Sequence, residues 1–413
     1  MPGHHHHSWA GTPGARRLTL MFLIPAALLT VLGLLLLWPS QSLPGARDAE
    51  GLTRVTGEVQ AVTPVPCAEV PEGDPAPPEK CGTVTVRLSD GTEVKAEIPN
   101  GPGAVEVEPG DDVVLLRLLD GEGGESESYS IADHQRGTEL WMLGAAFALA
   151  VIAFGRWRGL TALAGLALTF VVLLLFVVPA ILDGKSPVLV AVVGAAAIML
   201  SVLYLTHGFS ITTSIAVAGT LASLTITALL SAVATAGTHL NGVADETANF
   251  LSITEGEINM RGLLLAGIVI GSLGVLDDVT VTQSATVSEL AEANPSYGFR
   301  QLYGAATRIG RAHIASVINT IVLAYAGASL PLMLLFAAGE TPVSELLTGQ
   351  LVAQELVRSA VGTIGLITAV PITTALAAYA ASRRASESER PARSSPPPSD
   401  DHWAAFADRQ DRP

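Results

Sequence analysis

Long apolar runs, separated by short polar stretches, dominate the chain. Eight of these runs are long enough to cross a lipid bilayer as helices, because about 20 apolar residues span its hydrocarbon core. They cover residues 18–38, 139–155, 160–182, 188–206, 211–237, 262–281, 313–338 and 353–381. The pattern therefore predicts a polytopic α-helical membrane protein with about eight spans.

A different pattern occupies the interval between the first two runs. Four short segments rich in β-branched residues, at 55–62, 83–88, 92–98 and 113–119, read as strands. Residues 120–128, which are rich in Gly, Glu and Ser, are predicted to form a flexible excursion of the chain, that is, a loop. Four or five short strands in about 100 residues predict a small β-barrel of OB or similar type over 39–138.

The positions of the arginines predict the orientation of the spans. By the positive-inside rule the arginine-rich ends face the cytoplasm, so both termini are expected inside and the β-domain outside. We expect this arrangement in the plasma membrane. The arginines that share one side are Arg16, Arg17, Arg156, Arg158, Arg300, Arg308, Arg311, Arg383 and Arg384.

Composition supports the membrane class and excludes others. Charged residues make up 15% of the 413 residues, and the mean hydropathy is +0.46, whereas soluble domains carry about 25% charged residues. The formal net charge of −15 argues against nucleic acid as a partner. The sequence predicts five regions: a disordered cytoplasmic N-terminus at 1–17, a signal-anchor helix at 18–38, the β-domain at 39–138, a seven-span membrane domain at 139–382 and a disordered cytoplasmic tail at 383–413.

Cys67 and Cys81, the only cysteines, both lie in the predicted β-domain. Outside the cytoplasm such a pair favours a disulfide, and two unpaired thiols are the alternative. The tract His4–His7 reads as a tag-like tail or a metal-binding tract. We expect no metal or cofactor site.

The sixth run carries a stripe of small and polar residues at helical spacing. Gly267, Gly271, Gly274 and Asp278 follow one another in steps of four, three and four residues, and Glu289 continues the same face. Small residues at this spacing permit close helix packing, so Asp278 is expected on a packed face. Asp277 falls on an apolar face and is expected to reach toward the cytoplasmic interface. Two alternatives stay open: both aspartates are buried in the membrane, or both lie at the level of the lipid headgroups.

The seventh run has a matching stripe that begins at His313 and includes Thr320, with Asn319 beside it. His313 is expected at a depth similar to that of Asp278. A carboxylate–imidazole pair there suits proton relay or substrate gating. A helix-capping role of His313 is an equal alternative, and Arg308 or Arg311 is a further candidate counter-charge for Asp278.

The stretch GSLGVLDDVTVTQSATVSELAEANP, then IGR at 309–311 and NTIVLAYAG at 319–327, resembles the YibE/F-like family of bacterial multi-spanning membrane proteins. The resemblance covers about residues 130–380. It implies that Asp278 occupies the place of the family's aspartate after the glycine run. Further matched positions are Glu289, Arg311, Asn319, Thr320 and Tyr325. Two positions depart from the family pattern: Ala312 stands where an acidic residue is frequent, and Asp277 where an apolar one is common.

These features favour a permease of an unknown small solute or ion, with a polar site near the cytoplasmic ends of spans six and seven. The alternative is an envelope assembly or sensing protein whose β-domain binds an envelope partner. The chain carries no GxSxG, HExxH or P-loop motif and no paired-metal spacing, so we do not expect an enzyme. Beyond the lipid bilayer, the partners stay unidentified.

Overall fold

The computed structural model describes residues 13–40, 52–67, 80–100, 103–120, 126–339, 342, 345 and 348–388. The chain divides into two compact units, Leu43–Leu160 and the remainder, Met1–Ser42 with Thr161–Pro413. The disorder predicted for 1–12 and 389–413 lies outside the described residues. The parts of the same segments nearest the spans are helical, because α1 begins at Pro13 and the last helix continues to Ser388.

The first unit contains a closed five-stranded barrel, which confirms the predicted small β-barrel. The strands follow the order β1-β2-β3-β5-β4, and all neighbours are antiparallel except β3 and β5. Residues 126–128, predicted as part of a flexible excursion, belong to the fifth strand instead. The strands are β1 (Leu52–Val65), β2 (Cys81–Leu88), β3 (Glu93–Glu97), β4 (Asp112–Asp120) and β5 (Ser126–His134).

Alternation along these strands builds the core of the barrel. Val59, Val84, Val86, Val113 and Leu115 point inward and are fully buried, as expected for β-branched and aliphatic residues on the inner face of a sheet. The barrel therefore has a hydrophobic core of its own.

Two local contacts complete the barrel. A disulfide joins Cys67 to Cys81, the first residue of β2, with their Cα atoms 5.1 Å apart. The turn between β2 and β3 contains Gly91 at a φ of +88°, a conformation that favours glycine. The Asp90 carboxylate accepts the Thr92 N–H at 2.8 Å, and this hydrogen bond lowers the pKa of Asp90.

Among the described residues, seven helices are long and apolar enough to cross a membrane, so the structure supports a multi-pass membrane protein. The seven are α2 (Gly137–Gly155), the continuous α3–α4 segment (Trp157–Leu182), α5 (Pro187–His207), α6 (Ile211–Gly237), α8 (Met260–Ala293), α9 (Phe299–Ala328) and α11 (Gln350–Ser388). The shorter helices α7 (Glu246–Thr254) and α10 (Leu330–Ala338) connect them.

The first predicted span forms α1 (Pro13–Leu36), whose described apolar part, Leu23–Leu36, is shorter than the other seven. Leu23 is buried in the same cluster as residues of α5, α6 and α8, and a Cβ at Gly33 would lie 2.7 Å from Val193 of α5. Helix α1 thus packs within the helical unit, and its crossing of the membrane stays a prediction.

A hydrogen bond ties the end of α1 to the segment after α4. The Asp183 carboxylate accepts from the Ser40 hydroxyl at 2.6 Å and from the Ser40 backbone N–H at 2.8 Å. These bonds lower the pKa of Asp183, because they stabilise its ionised form. Lys185 lies 3.7 Å from the same carboxylate.

Helices α6, α8 and α11 form the centre of the helical unit. Helices α6 and α11 meet closely at two glycines: a Cβ at Gly219 would lie 2.2 Å from Thr373 Oγ1, and one at Gly365 would lie 2.0 Å from Thr227 Oγ1. Glycines at helix contacts let two backbones approach each other. The hydroxyl groups of Thr220 on α6 and Thr280 on α8 share a hydrogen bond of 2.6 Å.

Candidate functional site

Helices α8 and α9 place Asp278 and His313 at the same level. His313 Nε2 lies 3.8 Å from Asp278 Oδ2. The Asp278 side chain is 66% exposed and that of His313 is 35% exposed. A carboxylate and an imidazole at this distance exchange a proton directly after a small side-chain movement, or through one water molecule.

Two contacts define how deep this pair lies. A Cβ at Gly262, near the start of α8, would lie 3.3 Å from Pro187 in the first turn of α5. Further along α8, the Ser284 hydroxyl donates to the Thr212 carbonyl in the first turn of α6 at 2.8 Å. The stretch of α8 between Gly262 and Ser284 is about 33 Å long, which matches a hydrocarbon core of about 30 Å. Asp278 lies about 9 Å before Ser284 along α8, and an embedded pair and a pair at headgroup level both stay predictions.

Asp277 lies on a different side of α8 from Asp278. Its neighbours on that face are the buried Leu273 and the half-buried Ile270 and Val281, which pack in the main core. The Asp277 side chain is itself half-buried, and its Oδ1 atom is buried without a hydrogen-bond partner among the described residues. The predicted apolar face is present. The prediction that Asp277 reaches the interface is wrong, because this face turns inward.

The stripe of glycines on α8 does not pack against another helix of this chain. Nothing lies within 4 Å of a Cβ built on Gly267 or Gly274, and Gly271 meets only the Tyr325 hydroxyl at 4.0 Å. The predicted close packing at these glycines is therefore not formed with another described helix of this chain, and packing against a second copy stays a prediction. On the same face Asp278 contacts His313 of α9 and is otherwise exposed. The face is open because α5, α6 and α11 pack on the other sides of α8.

The other residues predicted for the site stay apart from Asp278 and His313. Glu289 lies eleven residues beyond Asp278, about 17 Å along α8, and is exposed. Arg311, Asn319 and Thr320 are exposed on α9. The Thr320 hydroxyl donates to the Ser316 carbonyl of its own helix at 3.1 Å. The structure thus brings together Asp278 and His313 and leaves the remaining candidates along the open faces of α8 and α9.

A second ionisable pair, which the sequence reasoning missed, lies further toward the predicted outer side. Arg358 Nη1 is 3.4 Å from Glu355 Oε1, and both side chains are 32% exposed. Arg358 lines a cleft between α8, α9 and α11, together with Gly271, Tyr325 and Thr363. A charged residue within a predicted span was an available signal, because ionisable groups at such depth are rare and usually serve function.

Buried hydroxyls line the contact of α6 with α8 and α11. The buried hydroxyls of α6 share one face of the helix. These are Thr213, Thr220, Ser223, Thr227, Ser231 and Thr235. Thr220 and Thr227 donate to carbonyls of their own helix, which supports a structural role for these two.

Within the described residues, no three His, Cys, Asp or Glu side chains cluster in a way that would hold a metal ion. The ionisable groups described at the site are a carboxylate–imidazole pair beside the exposed face of α8 and a guanidinium–carboxylate pair at the cleft. Such groups bind ions and move protons.

Comparison with known proteins yields one match. No curated protein and no solved structure matches the chain. The family model described as YibE/F-like protein matches residues 143–383, which is more than half of the chain and contains α8, α9 and nearly all of α11. The earlier resemblance is thereby confirmed, and the chain belongs to the YibE/F-like family.

Proposed function

We propose that this protein is a permease for a small solute or ion, and that its transport path runs along the open face of α8 beside α9. The Asp278–His313 pair is the observation that carries the proposal, because it brings two titratable groups within 3.8 Å of each other on α8 and α9, two helices apolar enough to cross a membrane. Packing of α8 against α9 alone gives no reason to place a carboxylate beside an imidazole within these apolar helices.

The glycines of α8 support the same path. Between the cleft at Gly271 and the carboxylate of Asp278 the face carries Gly274 and is exposed. A face without side chains leaves room for a solute to move along the helix. Gly271 at the cleft and Asp278 are seven residues apart, or about 10 Å along α8. We therefore take the Arg358–Glu355 pair and the Asp278–His313 pair as successive points of one transport path.

Transport is tested with the full-length protein in liposomes. Proton entry is followed with an enclosed pH-sensitive dye, and entry of sodium, potassium, chloride, nitrate and acetate by light scattering. We expect flux of at least one of these species above that of protein-free vesicles. Asp278→Asn is expected to lower this flux about tenfold, which corresponds to about 1.4 kcal/mol in the transport barrier.

The matched control is Glu246→Gln, which removes one carboxylate from the exposed first turn of α7. This variant is expected to retain the flux. The proposal is rejected if monodisperse protein gives no flux above empty vesicles for any of these species. The role of the pair is rejected if Asp278→Asn leaves a measurable flux intact.

The predicted location belongs to the same proposal: plasma membrane, both termini cytoplasmic and the barrel outside. It is tested by labelling single cysteines, placed in a variant without Cys67 and Cys81, with a membrane-impermeant maleimide in intact cells. Labelling of a cysteine at Thr92 but not at Ser296 supports this orientation, and the reverse pattern overturns it.

A second candidate is an envelope assembly or sensing protein whose barrel binds a partner. It is favoured by the barrel's own hydrophobic core and disulfide, which make this part a self-contained module. Deletion of residues 52–134 distinguishes the candidates. Flux that persists without the barrel supports the permease, whereas unchanged cell-envelope integrity in the deletion strain counts against the assembly role.

A further inference from the structure

We infer that the cleft between α8, α9 and α11 binds a small anion, an inorganic anion or a short carboxylate, through the guanidinium of Arg358. The inference deepens the proposed transport function by naming the class of substrate. The evidence for it is the geometry of this cleft and is independent of the contact between Asp278 and His313.

The lining of the cleft combines hydrogen-bond donors with empty space. Tyr325 and Thr363 contribute hydroxyls, whereas the Ser272 hydroxyl donates to the Val269 carbonyl of its own helix, and Gly271 and Gly362 have no side chain to fill the space. A Cβ on Gly362 would meet nothing within 4 Å. The cleft encloses about 20 Å³, room for about one water-sized group, so only a small anion, with part of it in the open mouth of the cleft, would fit.

Arg358 is the one residue of this lining that carries a full charge at neutral pH. Its contact with Glu355 uses a single nitrogen, Nη1, at 3.4 Å. Its Nε atom is buried and has no hydrogen-bond partner among the described residues. A guanidinium offers five donors in a planar fork that suits the paired oxygens of a carboxylate or phosphate. The guanidinium therefore lines the cleft and retains at least one donor without a partner among the described residues.

The depth of Arg358 strengthens the case. The side chains of Gln350 and Asn241 are hydrogen-bonded at the predicted outer end of α11. Arg358 lies eight residues beyond Gln350, about 12 Å along the helix. The Arg358 side chain is about two-thirds buried, so a bound anion gains more from the guanidinium than it would from one at the surface.

The charges in the cleft favour an anion over a cation. The lining contains no carboxylate, and Glu355, the nearest one known to contact Arg358, is already engaged by it. A cation would meet the positive guanidinium without a free counter-charge. An anion would instead accept hydrogen bonds from the guanidinium donors that Glu355 does not engage.

The test measures equilibrium binding of radiolabelled acetate, phosphate and rubidium to the full-length protein in lipid nanodiscs. We expect saturable binding of acetate or phosphate and none of rubidium. Arg358→Gln is expected to weaken the anion's binding at least about tenfold, as for loss of a charged hydrogen-bond donor. Arg300→Gln, an exposed arginine in the first turn of α9, is the matched control and is expected to bind as the unaltered protein does.

Two further variants separate a ligand site from a structural ion pair. Arg358→Lys retains the charge without the fork and is expected to bind the anion with intermediate strength. Glu355→Gln frees the guanidinium and is expected to bind as tightly as the unaltered protein or more tightly. A purely structural pair would instead make Glu355→Gln and Arg358→Gln equally harmful.

The outcomes also separate this inference from the transport proposal. Arg358-dependent anion binding without any flux keeps the inference and rejects transport. Flux without anion binding, or anion binding that Arg358→Gln leaves unchanged, overturns the inference and leaves transport standing. Saturable rubidium binding in place of anion binding overturns it as well.

Discussion

His313 and Asp278 approach each other across the α8–α9 contact, with 3.8 Å between Nε2 and Oδ2. Because 3.8 Å is longer than a hydrogen bond, the contribution of this contact to stability is expected to be small. Its effect on flux is expected to be much larger. Asp278→Asn and His313→Gln should each lower flux about tenfold, and the double variant should lose little more than either one, because the two groups act as a unit. Additive losses in flux, measured in liposomes, would show that the two groups act independently.

Asp277 is expected to contribute little to transport and to reduce stability. Its buried Oδ1 atom has no hydrogen-bond partner among the described residues, and an unsatisfied buried polar group costs about 1–3 kcal/mol. Asp277→Leu should therefore raise the thermal unfolding midpoint and retain most of the flux. A loss of flux equal to that of Asp278→Asn would refute this separation of the two aspartates.

Gly365 and Gly267 should respond in opposite ways to the same substitution. Gly365→Ala places a methyl group 2.0 Å from the Thr227 hydroxyl, so an overpacked contact is expected to cost about 1–3 kcal/mol. Gly267→Ala meets nothing within 4 Å and should be neutral or slightly stabilising, because alanine favours a helix. The comparison is made by thermal unfolding in detergent. Equal destabilisation by both would indicate that the face of Gly267 is packed, for example against a second copy of the chain.

The Cys67–Cys81 bridge is expected to stabilise the barrel. In the chain-entropy model a bridge of sequence separation 14 contributes about 3 kcal/mol. The double variant Cys67→Ser, Cys81→Ser should expose the barrel to protease at lower denaturant concentration, while the fragments of the helical unit persist unchanged. The unaltered protein under reductant provides the matched control and should behave as the double variant. Equal protease resistance with and without the bridge would contradict the assignment.

The helices could be predicted because their cause is local. Runs of apolar residues between polar ends, such as 211–237, match α6 in full. Boundaries set by capping side chains were harder to predict: the Asn259 carboxamide accepts the Gly262 N–H and begins α8, and polar extensions beyond the apolar run carry the helix on to Ala293.

Which neighbour each face of a helix meets could not be predicted from spacing. The periodicity correctly separates Asp277 from Asp278, but it does not say which of the two turns inward. In a soluble protein apolar residues mark the buried face, whereas in a bilayer the lipid is as apolar as leucine. The glycine stripe of α8 therefore looks the same whether it packs or stays open. Arg358 is a different case. Its position within an apolar run is visible in the sequence, whereas its partners can be identified only from the structure.

The closed barrel limits the ways in which any partner can recognise this part of the molecule. Each of its five strands pairs on both sides, the circle being completed by the short parallel contact of Ala96 with Tyr129 and Glu97 with Ser130. An incoming peptide consequently finds no strand of the described barrel that is unpaired along one whole side, which limits extension of the sheet by main-chain hydrogen bonds. Recognition should therefore rely mainly on side chains, so a partner of the barrel should be sensitive to single substitutions on its outer surface.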